Sequence, residues 1–309
     1  MTASHVSVMV PEVMAALALR PGMLAVDGTL GLAGHAQHIA KGISPNGALI
    51  GLDWDEAMLK IAEDRLQVIA SDVAVRLFHV DYRDLRDSLT TACADLGRPF
   101  GADAILLDLG LNNAQIEDPE RGISFRQDGP LDMRMDRTSG EPASATLNRL
   151  SVGEIEQLIW DLGDERWARK IAQVIVERRK SAPLKTTFDL VDCVLAAIPA
   201  AKRDKRIHPA TKVFQAVRIH VNRELDELED AIRDAAECLL PSGTIAVLSY
   251  HSGEDRAVKR AFRTLSATPD FHELYRKPLT PGEAELRANP KSRSAKLRGL
   301  RRNSSETLS

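Results

Sequence analysis

The first third of the chain alternates between short apolar runs and segments with a helical hydrophobic period. Four apolar runs, each with an aspartate at or near its end, cover residues 24–28, 48–53, 75–81 and 104–110. Between the second and third runs, segment 55–69 places apolar side chains at helical spacing, at Met58, Ile61, Ala62, Leu66 and Ile69. Short apolar runs of this kind are typical of strands buried in a parallel sheet. The alternation therefore predicts a doubly wound α/β fold.

This rhythm stops after residue 110. The next apolar run with the character of a buried strand is 244–251, and helical patterns occupy 154–162, 165–180 and 187–198. A longer helix is predicted from about residue 211 to 240, with apolar positions at Phe214, Val217, Val221, Leu225, Leu228, Ile232, Ala235 and Leu239. We therefore predict a discontinuous α/β domain, residues 1–113 and 215–309, with an inserted helical domain, residues 114–214.

Composition and charge narrow the class of protein. The net charge is only −3, but residues 202–223 hold seven Lys or Arg and one acid, and residues 291–302 hold six Lys or Arg and no acid. Such clusters either contact phosphates or form an ordinary solvated surface. The three widely spaced cysteines support neither a disulfide framework nor a zinc site. With no signal peptide pattern, metal cluster or membrane-length apolar run, we expect a cytoplasmic protein that does not bind a membrane or a metal.

The turn after the first predicted strand reads VDGTLGLAGH and contains Gly28, Gly31 and Gly34. Glycines at this position let a ligand approach the backbone, and Asp53, at the end of the second strand, is placed to accept the hydroxyls of a ribose. The spacing G-x-x-G-x-x-G departs from the pyrophosphate-binding pattern G-x-G-x-x-G. This departure favours S-adenosylmethionine over NAD as the cofactor, and the alternative is an ordinary glycine-rich turn.

The fourth predicted strand leads into DLGLNNAQ, residues 108–115. An exocyclic ring amine is a poor nucleophile, because its lone pair is delocalised. Acceptors such as Asp108 and Asn112 can bind its N–H groups and hold it for attack on a methyl donor. His251 follows the last apolar run, where it acts either as a base, as a hydrogen-bond donor to the substrate, or as a structural residue.

Longer motifs resemble one family across nearly the whole chain. They are HVSVMVPEV, VDGTLGLAGH, ILLDLG, RGISFRQDGPLDMRMD, GDERWARKIAQVIVERR, HPATKVFQAVRIHVNRELDELE, SYHSGEDRAVKRAF and NPKSRSAKLR. In this order they resemble the bacterial 16S ribosomal RNA cytosine-N4 methyltransferases, the RsmH (MraW) family. The resemblance implies a Rossmann-like class I methyltransferase sheet with an inserted helical substrate-recognition domain. It also implies S-adenosylmethionine as cofactor and a cytidine of the decoding centre in the small ribosomal subunit as target.

The resemblance and the residue types together predict roles for individual residues. The expected cofactor-binding residues are Gly31, Ala33, Gly34, His35, Asp53, Tyr82, Asp108 and Gln115. The expected catalytic residues are Asp108, Asn112 and His251, and the expected substrate-binding residues are Asp132, Arg134, Lys212 and Arg218. For Asp132 and Arg134 we expect a rigid loop beside the methyl-transfer site with Met133 and Met135 packed beneath it; a purely structural, salt-bridged loop is the alternative.

Three places depart from the family pattern. Leu32 and Ala33 stand in a turn that is usually richer in glycine, residues 112–114 read Asn-Asn-Ala where the family has Ser-Ser-Pro, and Gly253 replaces a leucine. The β-carbon of Ala33 is expected to narrow the room for the cofactor. A non-catalytic or substrate-shifted ribosome-binding relative, and an NAD-dependent oxidoreductase, therefore stay as alternative functions. A homodimer is compatible with the sequence, which does not determine the oligomeric state.

Overall fold

A computed structural model describes residues 7–69, 72–111 and 113–304. The chain divides into two compact units. The first, which we call the sheet unit, comprises Met1–Gly110 and Glu227–Ser309, and the second, the helical unit, comprises Leu111–Asp226. The predicted boundaries lay at 113/114 and 214/215, so the helical unit extends twelve residues further toward the C-terminus.

The sheet unit contains one seven-stranded sheet with the order β3-β2-β1-β4-β5-β7-β6. Its strands are β1 Leu24–Asp27, β2 Ala48–Asp53, β3 Ala74–His79, β4 Ala102–Asp108, β5 Leu239–Ser249, β6 Phe271–Glu273 and β7 Lys296–Arg302. The first five strands run parallel, and β7 pairs antiparallel with both β5 and β6. The predicted α/β class with a Rossmann-like methyltransferase sheet and a helical insertion is thus confirmed.

Helices connect and cover these strands. In chain order they are α1 Val10–Leu17, α2 Gly34–Ile43, α3 Glu56–Ile69, α4 Leu85–Leu96, α5 Asn113–Glu117, α6 Ala143–Arg149, α7 Val152–Gly163, α8 Ala168–Ser181, α9 Thr187–Ala197, α10 Thr211–Asn222, α11 Leu228–Glu237, α12 Ser252–Ser266 and α13 Glu283–Ala288. Helices α5 to α10 form the helical unit. No helix among the residues described is both long enough and apolar enough to span a membrane.

Each unit has its own apolar core. Strands β1 and β2 are buried along their whole length, as expected for central parallel strands, and α1 and α2 pack onto the same core. The core of the helical unit is formed by buried side chains of α6 to α10 together with Leu131 and Met133. Burial of these apolar surfaces is the main favourable term in folding.

The long helix predicted across residues 211–240 is wrong. Helix α10 ends at Asn222, and α11 begins at Leu228. Between them Arg223 and Glu227 have positive φ angles of 52° and 57°, which interrupt a right-handed helix. The apolar positions on both sides keep a helical spacing, so the hydrophobic pattern alone hides the break, which falls at the boundary between the two units.

Candidate active site

Carboxylates mark the carboxyl ends of the first four strands. Asp27, Asp53 and Asp108 are the last residues of β1, β2 and β4, and Asp81 lies two residues beyond β3. Because parallel strands end at the same side of a sheet, these groups form one acidic edge, which we call the carboxyl edge. Of the four, Asp81 is neutralised locally by an ion pair with Arg83 at 2.8 Å.

Asp27 is the most buried member of the carboxyl edge, with 1% of its surface exposed. Its Oδ1 accepts the N–H of Thr29 at 3.2 Å. Burial raises the pKa of Asp27 to about 7, although the positive charge of His35 and the hydrogen bond from Thr29 oppose the rise. The carboxyl group of Asp27 therefore titrates near neutral pH.

Asp108 has polar partners from three other segments. Its backbone N–H donates to the hydroxyl of Thr29 at 2.6 Å, and its Oδ1 accepts the hydroxyl of Tyr250 at 2.7 Å. Its Oδ2 lies 3.3 Å from Nδ1 of His35, whose Nε2 lies 2.9 Å from the carbonyl oxygen of Val8. Burial lowers the pKa of His35, but the hydrogen bond and the charge of Asp108 outweigh it and leave that pKa above its ordinary value. His35 and Asp108 thus form an ion pair in mildly acidic solution.

The glycine-rich turn is shaped by Asp53. The carboxylate accepts the N–H of Gly31 at 2.7 Å on Oδ2 and the N–H of Asp55 at 2.8 Å on Oδ1. Burial raises the pKa of Asp53 to about 6, against the effect of these hydrogen bonds. Gly31 and Ala33 both have positive φ angles, 52° and 60°, and α2 begins directly after Ala33. The turn therefore presents the N-terminus of α2 at the carboxyl edge.

Ala33 is expected from the sequence to lie against the cofactor, and this stays a prediction. Ala33 is completely buried, and its methyl group packs in the core of the sheet unit. Leu32 is also buried, with 8% of its surface exposed. Both side chains of this departure from the family pattern are therefore packed within the sheet unit.

Tyr82 follows β3 in a short 3₁₀ turn, Tyr82–Asp84, and is half-buried. A β-carbon on Gly28 would lie 3.4 Å from Cβ of Tyr82 and 2.6 Å from Cδ2 of Leu107. A side chain at position 28 would therefore require the end of the Leu107 side chain to move.

The remaining predicted cofactor and acceptor residues belong to the helical unit. Asn112 lies outside the described residues. Gln115 is on α5 and is buried, with 4% of its surface exposed.

The loop 128–136 belongs to the helical unit, and its central apolar side chains are buried. Its apolar side chains, Leu131, Met133 and Met135, have at most 5% of their surface exposed. Asp132 accepts two hydrogen bonds from the Arg134 guanidinium, at 2.7 and 3.0 Å, and Arg137 lies 3.7 Å from it. The methionines thus pack beneath an ion pair, as expected.

The predicted phosphate-binding cations have partners within the helical unit. Lys212 donates to the carbonyl oxygen of Asp164 at 2.6 Å, and Arg218 makes two hydrogen bonds of 2.8 Å with Glu224. By contrast Lys202, Lys205 and Arg206 are exposed, and none of the three forms an ion pair with a residue that the structure describes. Their charges are therefore more available to a polyanion than those of Lys212 and Arg218.

His251 caps α12. Its Nδ1 accepts the N–H of Glu254 at 3.3 Å, and the Glu254 carboxylate accepts the N–H groups of His251 and Tyr250 at 3.2 and 2.7 Å. This capping box gives His251 a structural role, and its role in proton transfer stays a prediction. The sequence reasoning missed Asp27, Thr29 and Tyr250, whose only sequence signal is that each lies within three residues of the end of a predicted strand.

Comparison with known proteins gives matches along the whole chain. A family model described as the MraW methylase family matches residues 2–303. A ribosomal RNA small subunit methyltransferase H from Citrifermentans bemidjiense is 44% identical over 309 residues, which cover 95% of this chain and 97% of that protein. Proteins of the same name from Pelobacter propionicus and Heliobacterium mobile are 44% and 42% identical, each covering at least 95% of this chain and 97% of the relative.

Proposed function

Because the chain belongs to the MraW methylase family, we propose that it transfers a methyl group from S-adenosylmethionine to the exocyclic N4 of a cytidine in the decoding centre of 16S rRNA. Its relatives are named as methyltransferases of small-subunit ribosomal RNA. The observation in the molecule that supports this function best is the carboxyl edge beside the glycine-rich turn.

The residues of the carboxyl edge fit the chemistry of this cofactor. S-adenosylmethionine carries a sulfonium, an ammonium group and a ribose diol, and all of these favour anionic or hydrogen-bond-accepting surroundings. Asp27, Asp53 and Asp108 supply such surroundings at the ends of neighbouring strands. An acid such as Asp53 suits the ribose of either cofactor, whereas the carboxylate of Asp108 would repel a pyrophosphate, as in NAD. The edge therefore favours the methyl donor over a dinucleotide.

Each side chain near the edge has a defined task in this proposal. Asp53 accepts hydrogen bonds from the ribose hydroxyls. Each of its carboxylate oxygens accepts one backbone N–H group and has a lone pair left for another hydrogen bond. Gly31 and Gly34, both half-buried, let the ligand approach the backbone. Tyr82 lies against the adenine, and His35 supports Asp108 from behind. Gln115 stays a predicted cofactor-binding residue.

When bound, S-adenosylmethionine supplies an electrophilic methyl carbon. Asp108 accepts an N–H of the cytidine N4 amine and turns the nitrogen lone pair toward that carbon. Asn112 is the second proposed acceptor. The rate gain comes from positioning an amine that is otherwise unreactive, so a base with a strongly shifted pKa is not required. As the N–C bond forms, the carbon–sulfur bond of the donor would break and leave a neutral thioether, and the amine proton would then pass to solvent.

The helical unit provides the surface for RNA. Enzymes that modify a base in folded RNA need that base unstacked, and they hold the surrounding backbone through cations. The exposed Lys202, Lys205 and Arg206 meet this need, and Lys212 and Arg218 are further candidates once their internal partners are exchanged for phosphate. Asp132 and Arg134 hold the loop 128–136 in one conformation for the target base.

The roles of Asp132 and Arg134 are tested separately by Asp132→Asn and Arg134→Gln. If the pair orients the target base, each variant lowers methylation while the folded state persists. Unchanged methylation by two folded variants assigns the pair to structure alone.

The decisive experiment uses purified small ribosomal subunits that lack the modification, radiolabelled S-adenosylmethionine and mapping of the modified nucleotide. We expect label on the N4 of one cytidine in the decoding centre. Asp108→Ala should lower the rate by about 100-fold or more, because it removes a group that acts on the reacting amine. Asp95→Ala, a change at an exposed position of α4, is the control. Tight subunit binding without transfer by the wild-type protein would instead identify a non-catalytic relative.

A further inference from the structure

Both oxygens of the Asp108 carboxylate have a donor from within the sheet unit. The Tyr250 hydroxyl donates to Oδ1 at 2.7 Å, and His35 Nδ1 lies 3.3 Å from Oδ2. The two donors approach from opposite sides of β4 in the strand order, since Tyr250 follows β5 and His35 begins α2, which follows β1. A carboxylate bound at both oxygens cannot rotate freely about its Cβ–Cγ bond.

The position of Tyr250 is itself determined by two neighbours. Its N–H donates to Glu254 Oε2 at 2.7 Å, and the same carboxylate caps α12. Its ring covers Gly110, where a β-carbon would lie 2.9 Å from Cδ2 of the ring. Gly110 has a φ angle of +122°, which only glycine adopts readily. The backbone and the ring of Tyr250 are therefore fixed, so that its hydroxyl has one position.

The protonation state of Tyr250 keeps it a donor. Burial raises the pKa of its phenol well above the ordinary value, and the adjacent charge of Asp108 and their shared hydrogen bond raise it further. The Tyr250 hydroxyl thus donates to Asp108 over the whole physiological pH range. The carboxylate keeps lone pairs for an external donor, because its side chain is still 24% exposed.

We propose that Tyr250 is a positioning residue for methyl transfer, which acts by orienting the Asp108 carboxylate toward the amine of the substrate. The inference rests on the proposed function, in which Asp108 accepts an N–H of that amine. Tyr250 does not contact substrate or cofactor in this role. It restricts the carboxylate to the orientation in which the amine lone pair faces the methyl carbon, so its effect falls on the rate of transfer and leaves ground-state binding largely unaltered.

The test is Tyr250→Phe, which keeps the ring on Gly110 and removes only the hydroxyl. We expect the single-turnover rate constant with small ribosomal subunits to fall by about 10- to 100-fold, as for loss of a hydrogen bond to a charged group. The dissociation constant of S-adenosylmethionine, measured by calorimetry, should change less than about twofold. Tyr275→Phe is the matched control, because Tyr275 packs against the same core and has no contact with Asp108 among the contacts described. This control should retain the wild-type rate.

A second variant guards against an effect of folding alone. His35→Leu removes the other polar partner of the Asp108 carboxylate, and it should lower the rate constant in the same way. In an Asp108→Asn background, Tyr250→Phe should have less than about a third of its effect in the wild-type background, because Tyr250 acts through Asp108.

The outcomes separate the inference from the proposed function. If the wild-type protein methylates subunits and Tyr250→Phe does so at the same rate, the positioning role is disproved and the proposed function stands. The same conclusion follows if Tyr250→Phe loses cofactor affinity and thermal stability in proportion to its rate. If the wild-type protein transfers no methyl group, the proposed function fails and the inference fails with it.

Discussion

The side-chain amide of Asn222 donates to the carbonyl oxygen of Met133 at 2.8 Å. The amide oxygen of Asn222 also accepts the N–H of Met135 at 2.8 Å, so one side chain at the end of α10 satisfies two backbone groups of the loop 128–136. Asn222 is buried, and Met133 has a positive φ angle of 65°. The loop is therefore kept in an unfavourable backbone conformation by a hydrogen-bonded anchor from a helix.

Replacement of this anchor should destabilise the protein. We expect Asn222→Leu to lower the free energy of unfolding by about 2–4 kcal/mol, because each buried backbone group left without a partner costs about 1–3 kcal/mol. Urea denaturation followed by circular dichroism measures the change. Gln173→Leu, at an exposed position on α8, should change stability by less than about 0.5 kcal/mol. Equal stability of the two variants would show that the anchor is dispensable.

Asp27 should make stability fall as the pH rises. Its pKa is 3.8 in the unfolded chain and about 7 in the native state, so between these values the native state holds a proton that the unfolded chain has lost. The free energy of unfolding then decreases by up to about 1.4 kcal/mol per pH unit from pH 4 to pH 7. The raised pKa of His35 gives stability that is present below about pH 6.5 and is lost as the pH rises through its native value.

The contribution of Asp27 is isolated by Asp27→Asn. We expect this variant to gain stability relative to the wild-type protein as the pH rises from 5 to 7.5, because the asparagine carries no charge that burial penalises. Urea denaturation at both pH values gives the difference, with Asp95→Asn as an exposed control. A stability difference that does not depend on pH would contradict the raised pKa.

The three cysteines should be unreactive in the folded protein. Cys93, Cys193 and Cys238 are all buried and free. Burial raises the pKa of Cys193 and of Cys238 to about 11, and the thiolate is the reactive form. A chromogenic disulfide reagent should label none of them within minutes in buffer and all three in denaturant. Asp95→Cys supplies an exposed thiol as a positive control, and rapid labelling of the native wild-type protein would refute the expectation.

The exposed cations of the helical unit should contribute to RNA binding through charge. Lys205→Gln combined with Arg206→Gln should weaken binding to small ribosomal subunits and reduce the slope of log K against log salt concentration by about 1.4 to 1.8. Both residues are exposed. The matched control is Lys41→Gln with Lys60→Gln, two exposed cations of the sheet unit. An equal loss of binding in both pairs would show a general effect of net charge, contrary to a specific surface.

Some features of the fold could be predicted from the sequence because they are local. The apolar runs that end at Asp27, Asp53 and Asp108 predict strands at nearly the observed positions. A strand that is buried on both faces consists of consecutive apolar residues, which are visible in the sequence. The break between α10 and α11 could not be predicted from the sequence. The spacing of apolar residues on either side of the break is helical. The pattern of apolar residues does not reveal the positive φ angles of Arg223 and Glu227.

The candidate site shows the same division. Asp53 and Asp108 were named from the strand ends on which they lie, but the burial of Ala33 could not be predicted from its place in the turn. Ala33 is buried in a core that includes residues far away in the chain. Lys212 and Arg218 were named from the local density of charge, which does not reveal the acceptors that occupy them.

The sequence by itself determined the parallel sheet, the glycine-rich turn, the aspartates at the strand ends and the family. These are encoded by the alternation of short apolar runs and helical periods and by motifs of contiguous residues. Only the tertiary structure decided which side chains hold those aspartates. Tyr250 and Asp108 are 142 residues apart in the chain and meet because β4 and β5 are neighbours in the sheet. Contacts of this kind depend on the packing of whole elements, which no local stretch of sequence records.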